Sequence, residues 1–281
     1  MKKRILILII VFILIIILIA NIPQTNQKTK VFLIGNSLTK DTAEFSLDKN
    51  NIILEYHIQS GKPLNFIQEN PNNLDPREQE SKPYTIALKN NAYDAIIFQP
   101  FPGTNSTLST DEKAILSFMD ITNKTNNPLF YIHTTWTGHS NYNRYWKVSS
   151  SNTPNAKTDI TEDYYNHLLT NLRKKTNNTI YLLPTGIVFS KLDTEIRNGN
   201  IENISEIKEF YRDGIHLSQL GRHIVRATLY STITKEKPKN LEREYDSFDK
   251  NKIYSEQTIK QIEDVIWKTI TDYPNTGIKA P

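Results

Sequence analysis

The chain has no cysteine in 281 residues, which excludes disulfides, a thiolate nucleophile and cysteine-ligated zinc. It can therefore sit in an oxidising compartment without depending on that compartment's chemistry. It also lacks a strong charge of one sign. The formal net charge is +4, and Lys2, Lys3 and Arg4 supply three of those charges. Without them, 31 basic residues stand against 30 acidic ones, so composition makes no electrostatic case for nucleic-acid binding. No internal repeat is visible. No spacing of His, Asp and Glu suggests converging metal ligands, and no cofactor is implied.

One long hydrophobic run is present, at the very start. In MKKRILILIIVFILIIILIA, three cations precede 16 apolar residues from Ile5 to Ala20. At ~1.5 Å per residue the run spans roughly 24 Å, slightly short of a ~30 Å hydrocarbon core. It is longer than the usual signal-peptide core, and LIANIPQ matches a small-x-small cleavage site poorly. An uncleaved membrane anchor over residues 1–20 is favoured over a cleaved signal. The cations are expected to stay inside, which places the remainder outside the inner or plasma membrane. Residues 21–29 read as a linker, and 30–281 as one domain that ends in a helix.

That domain alternates strand and helix patterns. The strands are expected over Val31–Gly35, Ile52–Ile58, Asp94–Gln99, Pro128–Thr134 and Thr179–Thr185. Several are near-continuous apolar runs, as in sheets covered on both faces. Helices are expected over Thr110–Thr125, Asp159–Lys175, Leu217–Thr232 and Ser255–Tyr273. The second runs from acidic to basic, as the helix dipole favours. The last places Ile259, Ile262, Val265, Ile266 and Ile270 on one face, for packing on the core. Segment 62–93, with four prolines, reads as loop with short helical pieces. This alternation implies a mainly parallel α/β sheet whose ligands bind beyond the carboxyl ends of the strands.

Polar residues cluster at those ends. Ser37 follows the first strand in VFLIGNSLTK, Gly61 the second and Gln99 closes the third in IIFQPFPGTN. Thr134, Thr135, Trp136 and His139 follow the fourth. After the fifth comes RDGIHLSQLGRHI, in which Asp213 and His216 are three apart. On a helical turn that spacing puts both side chains on one face. A serine hydroxyl needs a base, and the base works best when a carboxylate fixes its tautomer. Neither G-N-S nor D-x-x-H is specific alone; the pair, at the first strand tip and after the last strand, is far more so.

These blocks resemble the SGNH (GDSL-like) hydrolases. VFLIGNSLT is similar to the family's first block and RDGIHLSQLG, with Gly221 in place, to its last block, D-x-x-H-L-x-x-x-G. The likeness spans residues 31 to about 230. It implies a three-layer α/β/α sandwich on a five-stranded parallel sheet of flavodoxin-like type. It also implies ester chemistry with Ser37 as nucleophile, His216 as base and Asp213 as its orienter. The oxyanion hole it implies comprises the Ser37 and Gly61 backbone N–H groups and an amide side chain. Gln99 is the first choice for that amide and Asn105 the alternative. Two departures stand out. Asn36 replaces the family's usual aspartate, and Gly103-Thr104-Asn105 lies late for the third block.

Other residues have plainer readings. Gly61 also suits a turn needing positive φ. His57 and His223 read as packing residues, and His133 and His139 as pocket borders. Trp136, Tyr142, Tyr145 and Trp146 crowd a segment that either packs down or stacks on sugar rings. Trp136 and His139 are taken as substrate-binding candidates. The expectation is an anchored extracytoplasmic serine esterase that removes O-acetyl or other short acyl groups from a carbohydrate. The alternatives are an O-acetyltransferase with the same triad and a non-catalytic glycan-binding protein on the same fold.

Overall fold

The computed structural model describes residues 28–43, 47–141, 152–239, 241 and 254–278. The expected anchor at 1–20, most of the linker, and Tyr142, Tyr145 and Trp146 lie outside the described residues. Among the described residues, no helix is long and apolar enough to cross a membrane.

Five strands, β1 (Thr29–Gly35), β2 (Ile52–Ile58), β3 (Ala95–Phe98), β4 (Leu129–His133) and β5 (Ile180–Leu183), pair in parallel in the order β2-β1-β3-β4-β5. The fold therefore begins at Thr29, inside the expected linker. Among the described residues, eight α-helices accompany the strands: α1 (Ser37–Ala43), α2 (Leu64–Glu69), α3 (Tyr84–Asn90), α4 (Leu108–Asp120), α5 (Glu162–Lys175), α6 (Thr185–Arg197), α7 (Gln219–Thr234) and α8 (Glu256–Asp272).

Side-chain alternation along the strands divides the core in two. Val31, Leu33, Ile97, Tyr131 and Leu183 point to one face, where α1, α6, α7 and α8 pack. Phe32, Ile34, Ile96, Phe98, Ile132 and Leu182 point to the other, where α2 to α5 pack. Burial on both faces explains why β1 reads as unbroken VFLI rather than as an alternating strand. Along α8, Ile259, Ile262, Ile266 and Ile270 are buried at helical spacing, as the sequence predicts, while Val265 is only partly buried.

The helix starts follow local chemistry. The side chains of Thr107, Thr161, Ser218 and Ser255 accept N–H bonds in the first turns of α4, α5, α7 and α8. Two helices have no counterpart in the sequence reading. One is α1, and the other is α6, whose TGIV start continues the β-branched pattern of the strand before it. Its Gly186 N–H donates to the Thr134 carbonyl at 2.8 Å, which ties the start of α6 to the end of β4.

In this strand order the chain leaves β1 towards β2 on one side and reaches β3 on the other. The crevice at this reversal lies beyond the carboxyl ends of β1 and β3. Ser37 and Gln99 follow those two ends.

Candidate active site

Ser37 is the first residue of α1, two residues beyond the end of β1. The tip of β1 is built for close approach. A Cβ on Gly35 would collide with Thr39 Oγ1 and lie 2.6 Å from Gln99 Oε1, so only glycine fits. Asn36 is fully buried, and its Oδ1 accepts the Leu38 N–H at 3.0 Å, capping α1. Its Nδ2 reaches the Lys62 carbonyl at 3.4 Å, a donation that an aspartate at this position cannot make. The departure from the family's aspartate therefore has a local use: it links the β1 tip to the turn after β2.

The second half of the site is a turn rather than the expected helical segment. Asp213 Oδ1 accepts the Ile215 and His216 N–H groups at 2.8 and 2.7 Å, the local side-chain-to-backbone pairing that competes with helix. Tyr211 and Leu217 flank it as an antiparallel bridge. Helix α7 starts only at Gln219. A Cβ on Gly221 would collide with the Phe210 carbonyl oxygen, so that glycine lets α7 pack against the base of the turn.

The two halves meet across 179 residues. His216 Nδ1 lies 2.9 Å from Asp213 Oδ2, and His216 Nε2 lies 3.2 Å from Ser37 Oγ. A carboxylate only accepts, so Nδ1 carries the proton and Nε2 offers its lone pair to the Ser37 hydroxyl. Partial burial raises the Asp213 carboxyl, but the two backbone N–H bonds and the His216 ring outweigh it and hold the group below its ordinary value. Asp213 is thus ionised at neutral pH.

Buried residues that the sequence reading did not single out hold this arrangement. Asp41, on α1, accepts the Leu217 N–H at 2.9 Å, one residue after His216. The same carboxylate faces Arg222 Nε at 3.4 Å and Arg212 Nη2 at 3.6 Å. Their only sequence signals are the helical spacing of Asp41 from Ser37 and a charge, Arg222, within a buried stretch of α7.

The remaining site candidates separate clearly. Gly61 has φ +68° in the turn that Lys62 N–H closes on the Gln59 carbonyl. Gln99 is buried, and its Oε1 accepts from Asn36 N–H at 3.1 Å and Thr39 Oγ1 at 2.9 Å, while its Nε2 donates to the Pro100 carbonyl at 3.1 Å. Its amide therefore fastens the tip of β1 to that of β3. Asn105 sits on an exposed turn at φ 61° and is not drawn into the Ser37 contacts.

Trp136 is a correction. It is fully buried and stacks on Phe189, and its Nε1 donates to the Ile215 carbonyl at 2.8 Å. It supports the Asp213–His216 turn from beneath and has no surface to offer a substrate. His139 remains half-buried; its N–H donates to the Gly214 carbonyl at 3.3 Å and its ring meets Tyr211 edge-on.

The other histidines are placed in the packing. His133 contacts Thr185 Oγ1 at 2.9 Å and burial pushes it down to about 3. His57 accepts from Tyr84 N–H and burial pushes it down to about 4. His223 pairs with Glu263 at 3.1 Å. No cluster of His, Asp and Glu suited to a metal ion occurs among the described residues.

No family model matches the chain, and no curated protein matches it. Solved structures do. One is a protein from Slackia heliotrinireducens assigned to the SGNH hydrolases, at 17% identity over 73% of this chain and 98% of that one, with a TM-score of 0.45. Another, from Streptococcus pneumonia and titled a platelet activating factor, is 12% identical over 76% and 86%, also at 0.45. A two-domain esterase active on acetylated mannans is 15% identical over 78% of this chain and 53% of that one, at 0.42.

Proposed function

We propose that this chain is a serine esterase of SGNH type. The observation that carries the reading is the unbroken line of contacts Ser37–His216–Asp213, joined from opposite ends of the domain. The Ser37 hydroxyl gives its proton to His216 Nε2 as its oxygen bonds to the ester carbonyl carbon. Asp213 stabilises the imidazolium that forms. The tetrahedral intermediate collapses, the C–O bond to the alcohol breaks, and His216 returns the proton to the leaving oxygen. Water then attacks the acyl-enzyme with His216 as base, releasing the acid and free Ser37.

The developing oxyanion is assigned to the backbone N–H groups of Ser37 and Gly61. The Ser37 N–H lies in the first turn of α1, where a helix has no carbonyl to receive it. Gln99 acts as a positioning residue beneath them through the bonds it already makes. The substrate is assigned to O-acetyl or other short acyl esters of a carbohydrate, met outside the membrane by a domain anchored through residues 1–20. That location rests on the cation-led apolar run. With Trp136 buried, that residue drops out of the aromatic argument for sugar binding.

A fluorophosphonate probe tests the chemistry. Labelling of the full-length chain that disappears in Ser37→Ala and His216→Ala is expected. A folded wild-type chain that stays unlabelled, or full labelling of Ser37→Ala, overturns the reading.

A further inference from the structure

The loop that leaves β4 meets the Asp213–His216 turn and the residue leading into it at three places. Trp136 Nε1 donates to the Ile215 carbonyl at 2.8 Å, and His139 N–H donates to the Gly214 carbonyl at 3.3 Å. The Tyr211 hydroxyl donates to the Thr137 carbonyl at 2.9 Å. The loop is itself held from behind. Thr134 N–H donates to the Leu183 carbonyl at 3.0 Å, and Thr135 N–H to the Tyr165 hydroxyl at 3.2 Å.

Two of these contacts fall on the peptides that hold Asp213. In a planar trans peptide the C=O of one residue and the N–H of the next point in opposite directions. The Gly214–Ile215 peptide turns its carbonyl to His139 N–H and its own N–H to Asp213 Oδ1, at 2.8 Å. The Ile215–His216 peptide turns its carbonyl to Trp136 and its N–H to the same Oδ1, at 2.7 Å. The β4 loop thus sets the planes of both peptides whose N–H groups grip the carboxylate. The carboxylate passes that setting on to His216 Nδ1 through Oδ2. The approach is close enough to exclude a side chain. A Cβ on Gly138 would lie 2.8 Å from the Gly214 carbonyl oxygen and would push the first of these peptides away.

We propose that Gly138 is a positioning residue for the triad. By carrying no side chain it lets the β4 loop seat the Gly214–Ile215 peptide, and through it the Asp213 carboxylate, against His216. Tyr211 serves the same seat, because its hydroxyl ties Thr137, the neighbour of Gly138, to the chain that leads into the turn. His139 then contributes to the site through its main-chain N–H. The assignment rests on the esterase reading for its effect on rate, but the seat itself is measurable without turnover.

Two measurements on the full-length chain test this: hydrogen exchange at the Ile215 and His216 amides, and kcat on p-nitrophenyl acetate. In Gly138→Ala both amides should exchange at least ~10-fold faster, because their hold on Asp213 is loosened. The kcat should fall by about tenfold with KM nearly unchanged, since a shift of ~1 Å at such a site costs about 10²-fold and a few tenths of that relieve the contact. Tyr211→Phe should move both readouts the same way by less, and it decides should Gly138→Ala fail to fold. In an Asp213→Ala background no carboxylate is left to seat, so adding Gly138→Ala should lower kcat by less than about twofold. Unchanged exchange in the variants overturns the seat. Faster exchange with unchanged kcat, or a loss as large in Asp213→Ala as in the wild type, overturns the positioning role. A wild-type chain without esterase activity, in which Gly138→Ala still speeds exchange, overturns the esterase reading and leaves the seat standing.

Discussion

Asp41 and Arg222 face each other at 3.4 Å with both side chains 1% exposed. The pair joins the helix that carries Ser37 to the helix that follows His216. Removing one partner leaves the other charge buried, which typically costs about 3–5 kcal/mol. Asp41→Leu should lose stability of that order in urea unfolding, and kcat should fall more than KM rises because the Leu217 tether is gone. Asp41→Leu combined with Arg222→Met should recover most of the stability and little of the kcat. Recovery of both would mean that the pair does not position His216.

The three proposed catalytic residues should act as a unit. Ser37→Ala and His216→Ala should each lower kcat on p-nitrophenyl acetate by about 10⁶, and the double variant by little more. Asp213→Asn should cost on the order of 10⁴ or less, because half of that side chain is open to water, which partly replaces it. Additive losses in a steady-state comparison would contradict a shared mechanism.

Trp136→Phe keeps a ring on Phe189 but removes the donor to the Ile215 carbonyl. The Ile215 carbonyl is half-buried, so losing its donor costs about 1 kcal/mol, the worth of one ordinary hydrogen bond. Urea unfolding should report a loss of that order, with kcat lowered and KM nearly unchanged. A large rise in KM on a glycan ester would instead return Trp136 to the substrate.

Asn36→Ala should cost about 1 kcal/mol through loss of the α1 cap. Asn36→Asp keeps the Oδ1 acceptor and loses only the long contact to Lys62, so its activity should fall by no more than about tenfold, the worth of one ordinary hydrogen bond. A collapse of activity in Asn36→Asp would show the link to the β2 turn to be essential.

Stability should fall on acidification for an identifiable reason. Burial holds His57 down to about 4 and His133 to about 3, against 6.5 when unfolded, so below pH 6.5 the unfolded chain binds more protons. Asp111 works the other way. Burial pushes it up to about 7 from 3.8, against hydrogen bonds from Thr158, Tyr164 and Ser106. Between pH 4 and 7 the folded chain holds that extra proton, so this contribution declines as pH rises. Asp111→Asn removes the opposing effect and should steepen the loss from pH 6.5 to 4 by about 1.4 kcal/mol per pH unit. Urea midpoints at half-unit intervals measure the slope; an unchanged slope refutes it.

The residues that the sequence brought out are those whose chemistry is local. Val31 to Gly35 reads as a doubly buried strand from its own letters, and Asp213 and His216 share one turn, so their spacing survived even though the turn is not helical. Helix α6 escaped notice because Thr185-Gly186-Ile187-Val188 has the β-branched look of the preceding strand. Trp136 and Gln99 are less legible for another reason. Their side chains are polar or amphipathic residues beside strand ends, and whether such a group turns outward or inward depends on partners 79 and 63 residues away. Asp41 and Arg222 depend on the same long-range closure.

Under the proposed chemistry, the 179-residue separation of Ser37 from His216 also governs when the serine becomes reactive. Strand β1 lies in the interior of the sheet and Ser37 is placed at its tip early in the chain, but the group that can take its proton is not synthesised until most of the domain exists. A nascent or partly unfolded chain carries an ordinary hydroxyl at position 37. Reactivity at that serine is thus a readout of complete tertiary closure, and a covalent probe that reports on it counts only molecules in which both ends of the domain have met.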